Sequence, residues 1–167
     1  MAAITTQQVY EWLSAVTDPE VPVLTILDLG IVRDVQVEED ADGDTRVTVV
    51  ITPTYSGCPA MDVIAINIRM ALLSRGVRHV RIESRLDPAW TTDWMTEEGK
   101  QKLKAYGIAP PVRKSTDPLA LFATDAVPCP RCGSEETELV SQFGATSCKA
   151  LYRCLSCQEP FEHFKCH

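Results

Sequence analysis

No run of about 18 apolar residues occurs in the chain, so no segment reads as a membrane-spanning helix. The opening "MAAITTQQVYEWL" lacks a basic start followed by an apolar stretch, and no secretory signal is expected. Positive charge is also scarce. Sixteen Lys and Arg stand against 23 Asp and Glu, a formal net charge of -7. Binding a phosphate backbone needs a basic footprint to displace counterions, so nucleic acid is not an expected partner. Internal repeats and low-complexity tracts are missing, so no repeat architecture is expected. Cysteine is nearly absent from the first 128 residues, where Cys58 stands alone.

What remains is an ordinary globular composition, 45% apolar and 23% charged over 167 residues. That is enough for one core plus a small module. With neither signal nor span, the expected compartment is the cytoplasm. Cysteines in a reducing compartment read as metal ligands or reactive thiols before disulfides. Six of the seven lie between Cys129 and Cys166, which marks a compositional boundary. The expected division is a first domain over 1–85, a proline-containing linker with one short helix over 86–127, and a cysteine-rich module over 128–167.

The first 85 residues alternate helical and strand patterns. Val9, Leu13 and Val16 share a helical face behind a capping box of Thr5 and Gln8, and Asp18-Pro19 ends that helix. Two strands follow, in "LGIVRDVQVEE" and "RVTVVITP", joined by a turn at Asp42-Gly43. A second helix over about 59–75 carries Ile64, Ile68 and Ala71 at core spacing, and Gly76 stops it. "VRHVRIESRL" is a third strand, with His79 a surface residue beside Arg78 and Arg81. The fold class expected is α+β: a helix-strand-strand-helix-strand domain, a linker, and a zinc-ribbon-like β module. In the linker, Glu97 and Glu98 precede Lys100, Lys102 and Lys104, the polarity a helix dipole favours. Gly107 ends that helix.

Cys58 precedes the second helix, with Pro59 expected at its first position. A helix N-terminus favours thiolate over thiol, and Gly57 leaves the backbone free to approach closely. Those features suit a reactive or metal-binding thiolate. The other reading of the same residues is a small buried hydrophobe.

"DPEVPVLTILDLGIV" over 18–32 and "TPTYSGCPAMDVI" over 52–64 resemble the iron–sulfur assembly domain family, which includes SufT and cytosolic cluster-targeting factors. The resemblance covers about residues 5–85. It implies that Cys58 is the reactive residue, holding iron or an iron–sulfur cluster transiently. Asp18, Glu20 and Thr54 (or Thr52) are its implied helpers. For Asp18 and Glu20, helix termination and a turn are the alternative role.

Cys129-Pro-Arg-Cys132 and Cys154-Leu-Ser-Cys157 form two C-x-x-C knuckles with 21 residues between them. Two knuckles complete a tetrahedral four-thiolate site, which zinc accepts; an iron–sulfur cluster also takes four cysteines. Cys148, Cys166, His163 and His167 are the weaker ligand candidates. About 40 residues hold too little core to fold unaided, so metal binding would supply much of the folding free energy. Phe143, Tyr152, Phe161 and Phe164 are expected to cover a small core or meet a protein.

"CPRCGS", "FGATSCKALYRCLSCQEPFEHFKCH" and "DPAWTTDWMTEEGKQKLKAYGIAPP" resemble the PaaD family, the D component of the phenylacetyl-CoA epoxidase system of aerobic phenylacetate breakdown. The resemblance spans the chain. It implies an accessory protein without independent catalytic activity. Such a protein would deliver iron or clusters to a di-iron oxygenase or a reductase component, or stay as a docking subunit. Epoxidase components, cluster-assembly proteins and a second copy are the implied partners.

Overall fold

The computed structural model describes residues 3–39, 43–112 and 126–165. Asp42 of the expected turn, Pro118 of the expected linker, Cys166 and His167 lie outside them. The chain divides into two compact units, Met1–Thr96 and Glu97–His167.

The first unit holds α1 (Thr6–Leu13), β1 (Val32–Glu39), β2 (Thr45–Ile51), α2 (Ala60–Leu73) and β3 (His79–Ser84). This is the expected order, and the α+β class holds. Both halves of the Thr5/Gln8 capping box are present. The helix they open ends at Leu13, earlier than Asp18. Ser14 turns its hydroxyl back onto the Glu11 carbonyl at 2.6 Å. Val16 is then buried from a loop rather than from a helical face.

In the sheet, β2 lies between β1 and β3, antiparallel to the first and parallel to the second. The parallel pair needs a crossover, and α2 supplies it. Val47, Val49 and Ile51 alternate onto one face of the central strand, and Val50 on the other face is buried as well. Val9, Leu13, Ile64, Ile68 and Leu72 bring the helices into the same core.

The second unit holds α3 (Glu97–Tyr106), β4 (Ile108–Ala109), β5 (Thr137–Ser141), β6 (Lys149–Cys154) and β7 (Pro160–Phe164). Its sheet order is β4-β7-β6-β5. Strands β5, β6 and β7 form an antiparallel meander, and β4 adds in parallel to β7. Phe161 and Phe164 are buried, Tyr152 stacks on Phe161, and Phe143 is exposed beneath Lys165. Among the described residues no helix is long and apolar enough to cross a membrane.

Residues 86–112 are more than the connector their prolines suggest. Trp90 is buried in the first unit and donates its indole N–H to the Leu29 carbonyl at 2.8 Å. Trp94 packs its backbone against Gly30, while Ile108 and Ala109 are strand residues of the second unit. Gly30 has φ +68, and a Cβ there would collide with the Trp94 carbonyl. Gly30→Ala is therefore expected to destabilise the first unit by on the order of 3 kcal/mol, from strain and overpacking together. Urea unfolding followed by Trp fluorescence would read it; a change below about 1 kcal/mol would refute the close approach.

Candidate metal centre and the Cys58 loop

Both knuckles are built alike. In the first, the Gly133 N–H donates to the Cys129 carbonyl at 2.9 Å, and Gly133 takes φ +76. In the second, Gln158 takes the matching place with φ 62. The Cys129 N–H reaches the Ser134 carbonyl and the Cys154 N–H reaches the Glu159 carbonyl. Each knuckle thus curls around its cysteine pair. Ser134 and Ser156 tie the two together through a hydroxyl contact of 2.8 Å.

The result is one cage. The Sγ atoms of Cys129, Cys132, Cys154 and Cys157 all lie within 4.8 Å of one another, a four-cysteine metal-binding group. Cys129 approaches Cys157 at 3.8 Å and Cys132 approaches Cys154 at 3.6 Å. A tetrahedral ion with bonds of about 2.3 Å to sulfur sets its sulfurs about 3.8 Å apart, so the cage fits a single ion. The Cys157 N–H points at the Cys154 sulfur from 3.5 Å. That donor, with the Ser156 N–H, brings the Cys154 thiol down to about 7. Thiolate, the form that ligates a metal, is favoured there.

Cys148 and His163 stand apart from the cage. Cys148 is buried against the Thr146 hydroxyl at 3.0 Å. His163 is buried, with Nδ1 3.2 Å from the Ala109 carbonyl and its ring edge on Tyr152. Burial lowers its pKa, so the neutral ring is favoured.

Cys58 closes the loop from β2 to α2. Its N–H donates to the Tyr55 carbonyl at 3.3 Å, and Gly57 before it takes φ +76. Pro59 has helical angles but precedes the first helical residue, Ala60. Cys58 is buried, with 9% of its surface exposed. The helix effect expected from sequence is present but outweighed. Burial pushes the thiol up; the Ala60 N–H and the Tyr55 hydroxyl pull it down; the Glu20 and Asp18 carboxylates push it up again. The net direction is upward, so Cys58 is a neutral thiol near pH 7.

The fold therefore brings Asp18 and Glu20 near Cys58. Asp18 Oδ1 accepts the N–H groups of Glu20 and Val21 at 2.7 and 2.8 Å, so its carboxylate also fixes the turn. Thr54 is half-buried in the same loop. Tyr55 was not singled out by sequence reasoning; its place three residues before Cys58 is the only signal available there. Thr52, where β2 gives way to that loop, is 1% exposed, and its hydroxyl has no hydrogen-bond partner among the described residues.

Alkylation of Cys58 against pH is expected to show a midpoint above the free-cysteine value of about 8.5. Glu20→Gln, by removing a nearby negative charge, should move it down. A wild-type midpoint below that of a free cysteine would contradict this balance.

The chain is 49% identical over 169 residues to an Escherichia coli (strain K12) protein provisionally named as the D component of 1,2-phenylacetyl-CoA epoxidase, with 99% of this chain and 98% of the relative covered. The chain belongs to the PaaD family. Residues 114–165 of this PaaD-family chain match the family described as the PaaD zinc beta ribbon domain, and residues 6–83 match the iron–sulfur cluster assembly protein family. It is also 38% identical over 100 residues to a Porphyromonas gingivalis protein named Fe-S protein maturation auxiliary factor, covering 59% of this chain and 90% of the other. Among solved structures, a domain of unknown function (DUF59) from Bacillus anthracis aligns at 27% identity with a TM-score of 0.52. That alignment covers 58% of the PaaD-family chain and 89% of the other.

Proposed function

We propose that this protein is a maturation factor for a multicomponent phenylacetyl-CoA epoxidase, and that it hands iron or an iron–sulfur cluster to an oxygenase or reductase component. One observation carries the reading. A chain related over its whole length to an epoxidase component also contains a buried thiol beside two carboxylates, inside an iron–sulfur assembly fold. In this reading Cys58 is the transfer ligand. Binding an iron centre displaces its proton, so the carboxylates that disfavour the bare thiolate also favour the cationic metal that replaces that proton. One thiolate with carboxylate helpers holds a soft metal too weakly to keep it, which suits transfer. The remaining ligands come from the client, a second copy or a small thiol.

The ribbon has a different task in this reading. Cys129, Cys132, Cys154 and Cys157 would hold one structural zinc. The compact sulfur cage supports a single ion, because a cluster spreads its four cysteines over several iron atoms. The ion's contribution is to fold the unit that docks the client.

A second reading, a permanent docking subunit, is favoured by the burial of Cys58. Stoichiometry separates the two. A maturation factor should be substoichiometric in purified active epoxidase, and its removal should leave activity unchanged. A constant one-to-one ratio, with activity lost on removal, would contradict maturation and support docking.

A further inference from the structure

After β3 the chain runs back to one loop of the first unit, residues 24–31, and residues 90–96 close on it. Trp90 is buried and donates its indole N–H to the Leu29 carbonyl at 2.8 Å. The Trp94 backbone packs against Gly30, and the Arg33 guanidinium lies 3.6 Å from the centre of the Trp94 ring. The Thr96 N–H donates to the Asp28 carbonyl at 2.9 Å, and its hydroxyl reaches the Asp28 carboxylate at 3.3 Å. The second oxygen of that carboxylate accepts the Thr25 N–H at 3.0 Å. Asp28 is buried, and a carboxylate so placed needs its acceptor sites filled.

The same loop is bonded to both halves of the Cys58 surroundings. The Asp18 N–H donates to the Leu24 carbonyl at 2.9 Å and the Ile26 N–H to the Val16 carbonyl at 3.0 Å, with a bridge between Thr17 and Thr25. These bonds seat the turn that carries Asp18 and Glu20. Farther along, the Thr52 N–H donates to the Ile31 carbonyl at 2.9 Å, where the chain enters the Cys58 loop. Loop 24–31 thus joins the carboxylate turn to the loop of the thiol, and residues 90–96 are its third set of partners.

We propose that Trp90 and Asp28 are positioning residues for Cys58: they lock loop 24–31, and the loop sets the distance from the Asp18–Glu20 turn to the thiol. The reason is mechanical. No helix or strand is formed between Leu13 and Val32, and such a stretch opens locally unless its backbone groups are bonded. An indole N–H on a buried carbonyl and a carboxylate bonded at both oxygens close this one. The Glu20 and Asp18 carboxylates act on Cys58 by charge, and charge effects weaken with distance, so a slack loop would weaken them. Residues 90–96 then belong to the site, although the match to the assembly family ends at residue 83. The inference rests on the maturation reading for its purpose, and names what holds the neighbours of its working thiol in place.

Alkylation of Cys58 at fixed pH, read by peptide mass on the zinc-loaded full chain, tests this without any epoxidase component. Trp90→Phe removes the N–H and keeps an aromatic ring. Asp28→Asn leaves one acceptor oxygen in place of two. Each should speed alkylation at least about fivefold. The opening is local, so the gain should not depend on urea up to about 1 M.

Glu20→Gln should speed alkylation too, by removing a nearby negative charge. Combined with Trp90→Phe or Asp28→Asn, the two gains should fall short of multiplying, because both act through the same carboxylate. Unchanged rates in Trp90→Phe and Asp28→Asn would overturn the proposal. So would gains that multiply fully with that of Glu20→Gln, or that grow with urea, since these mark lost stability rather than lost position. Iron delivery is a separate outcome. A chain that passes this test and delivers no iron would strike the transfer reading alone, and one that delivers iron with Cys58 indifferent to both variants would strike only the positioning role.

Discussion

Cys154→Ser should cost the second unit its fold and leave the first intact. One buried cluster of the second unit is Ala109, Val127, Cys129, Cys154 and Phe161, with Tyr152 beside it. Two of those residues belong to the four-cysteine group, so the cluster and the candidate metal centre are one structure. In small metal-held modules the metal's binding free energy, roughly 10–16 kcal/mol for structural zinc, is folding free energy. Losing one ligand removes several kcal/mol of it, more than so small a core can replace. Metal per chain should fall from one equivalent to below about a tenth, and proteolysis should cut the second unit while Met1–Thr96 survives. A chelator should reproduce the effect. Cys132→Ser should be milder for folding, because Cys132 is exposed whereas Cys154 is fully buried. A second unit still folded and protease-resistant in metal-free Cys154→Ser would contradict this account.

Cys58→Ala should do the reverse, leaving the protein folded and removing its service. Replacing a small buried thiol by a methyl group costs about 1–2 kcal/mol, which a core containing Leu24, Ile26, Ile64, Ile68 and Leu72 withstands. Cells that depend on the variant should nevertheless grow poorly on phenylacetate, with active epoxidase reduced about tenfold or more. A variant that still unfolds cooperatively, with a melting temperature lowered by no more than about 10 °C, together with that growth defect, would separate a transfer role from a packing role. Normal growth would return Cys58 to packing.

Local patterns were legible in the sequence, and pairings across long separations were not. The capping box at Thr5 and Gln8 involves residues three apart, and each C-x-x-C knuckle likewise closes on itself, so spacing alone identified them. Strand β4 is two residues long, and its partners Glu162 and His163 lie more than fifty positions away. No periodicity can announce such a strand. No spacing in the sequence marks Lys149 and Glu162 as partners, yet Lys149 is 5% exposed and pairs with Glu162 at 2.8 Å. The Cys58 environment was half legible. Its place before a helix was visible in Gly57-Cys58-Pro59. Its burial, the main cause of its raised pKa, has no local signal, and the two carboxylates that add to that rise come from a turn some forty residues earlier, fixed by the Asp18 hydrogen bonds.

The most direct measurement is the iron and acid-labile sulfide content of the epoxidase components. They would be purified from cells supplying the wild-type protein, the Cys58→Ala variant, or neither. Delivery through Cys58 predicts full occupancy only with the wild type. One component should be deficient in iron, or in iron and sulfide, to a similar degree in the other two cases. Equal metal content in all three preparations would contradict delivery altogether. Full content with Cys58→Ala, but not without the protein, would contradict transfer at Cys58 itself.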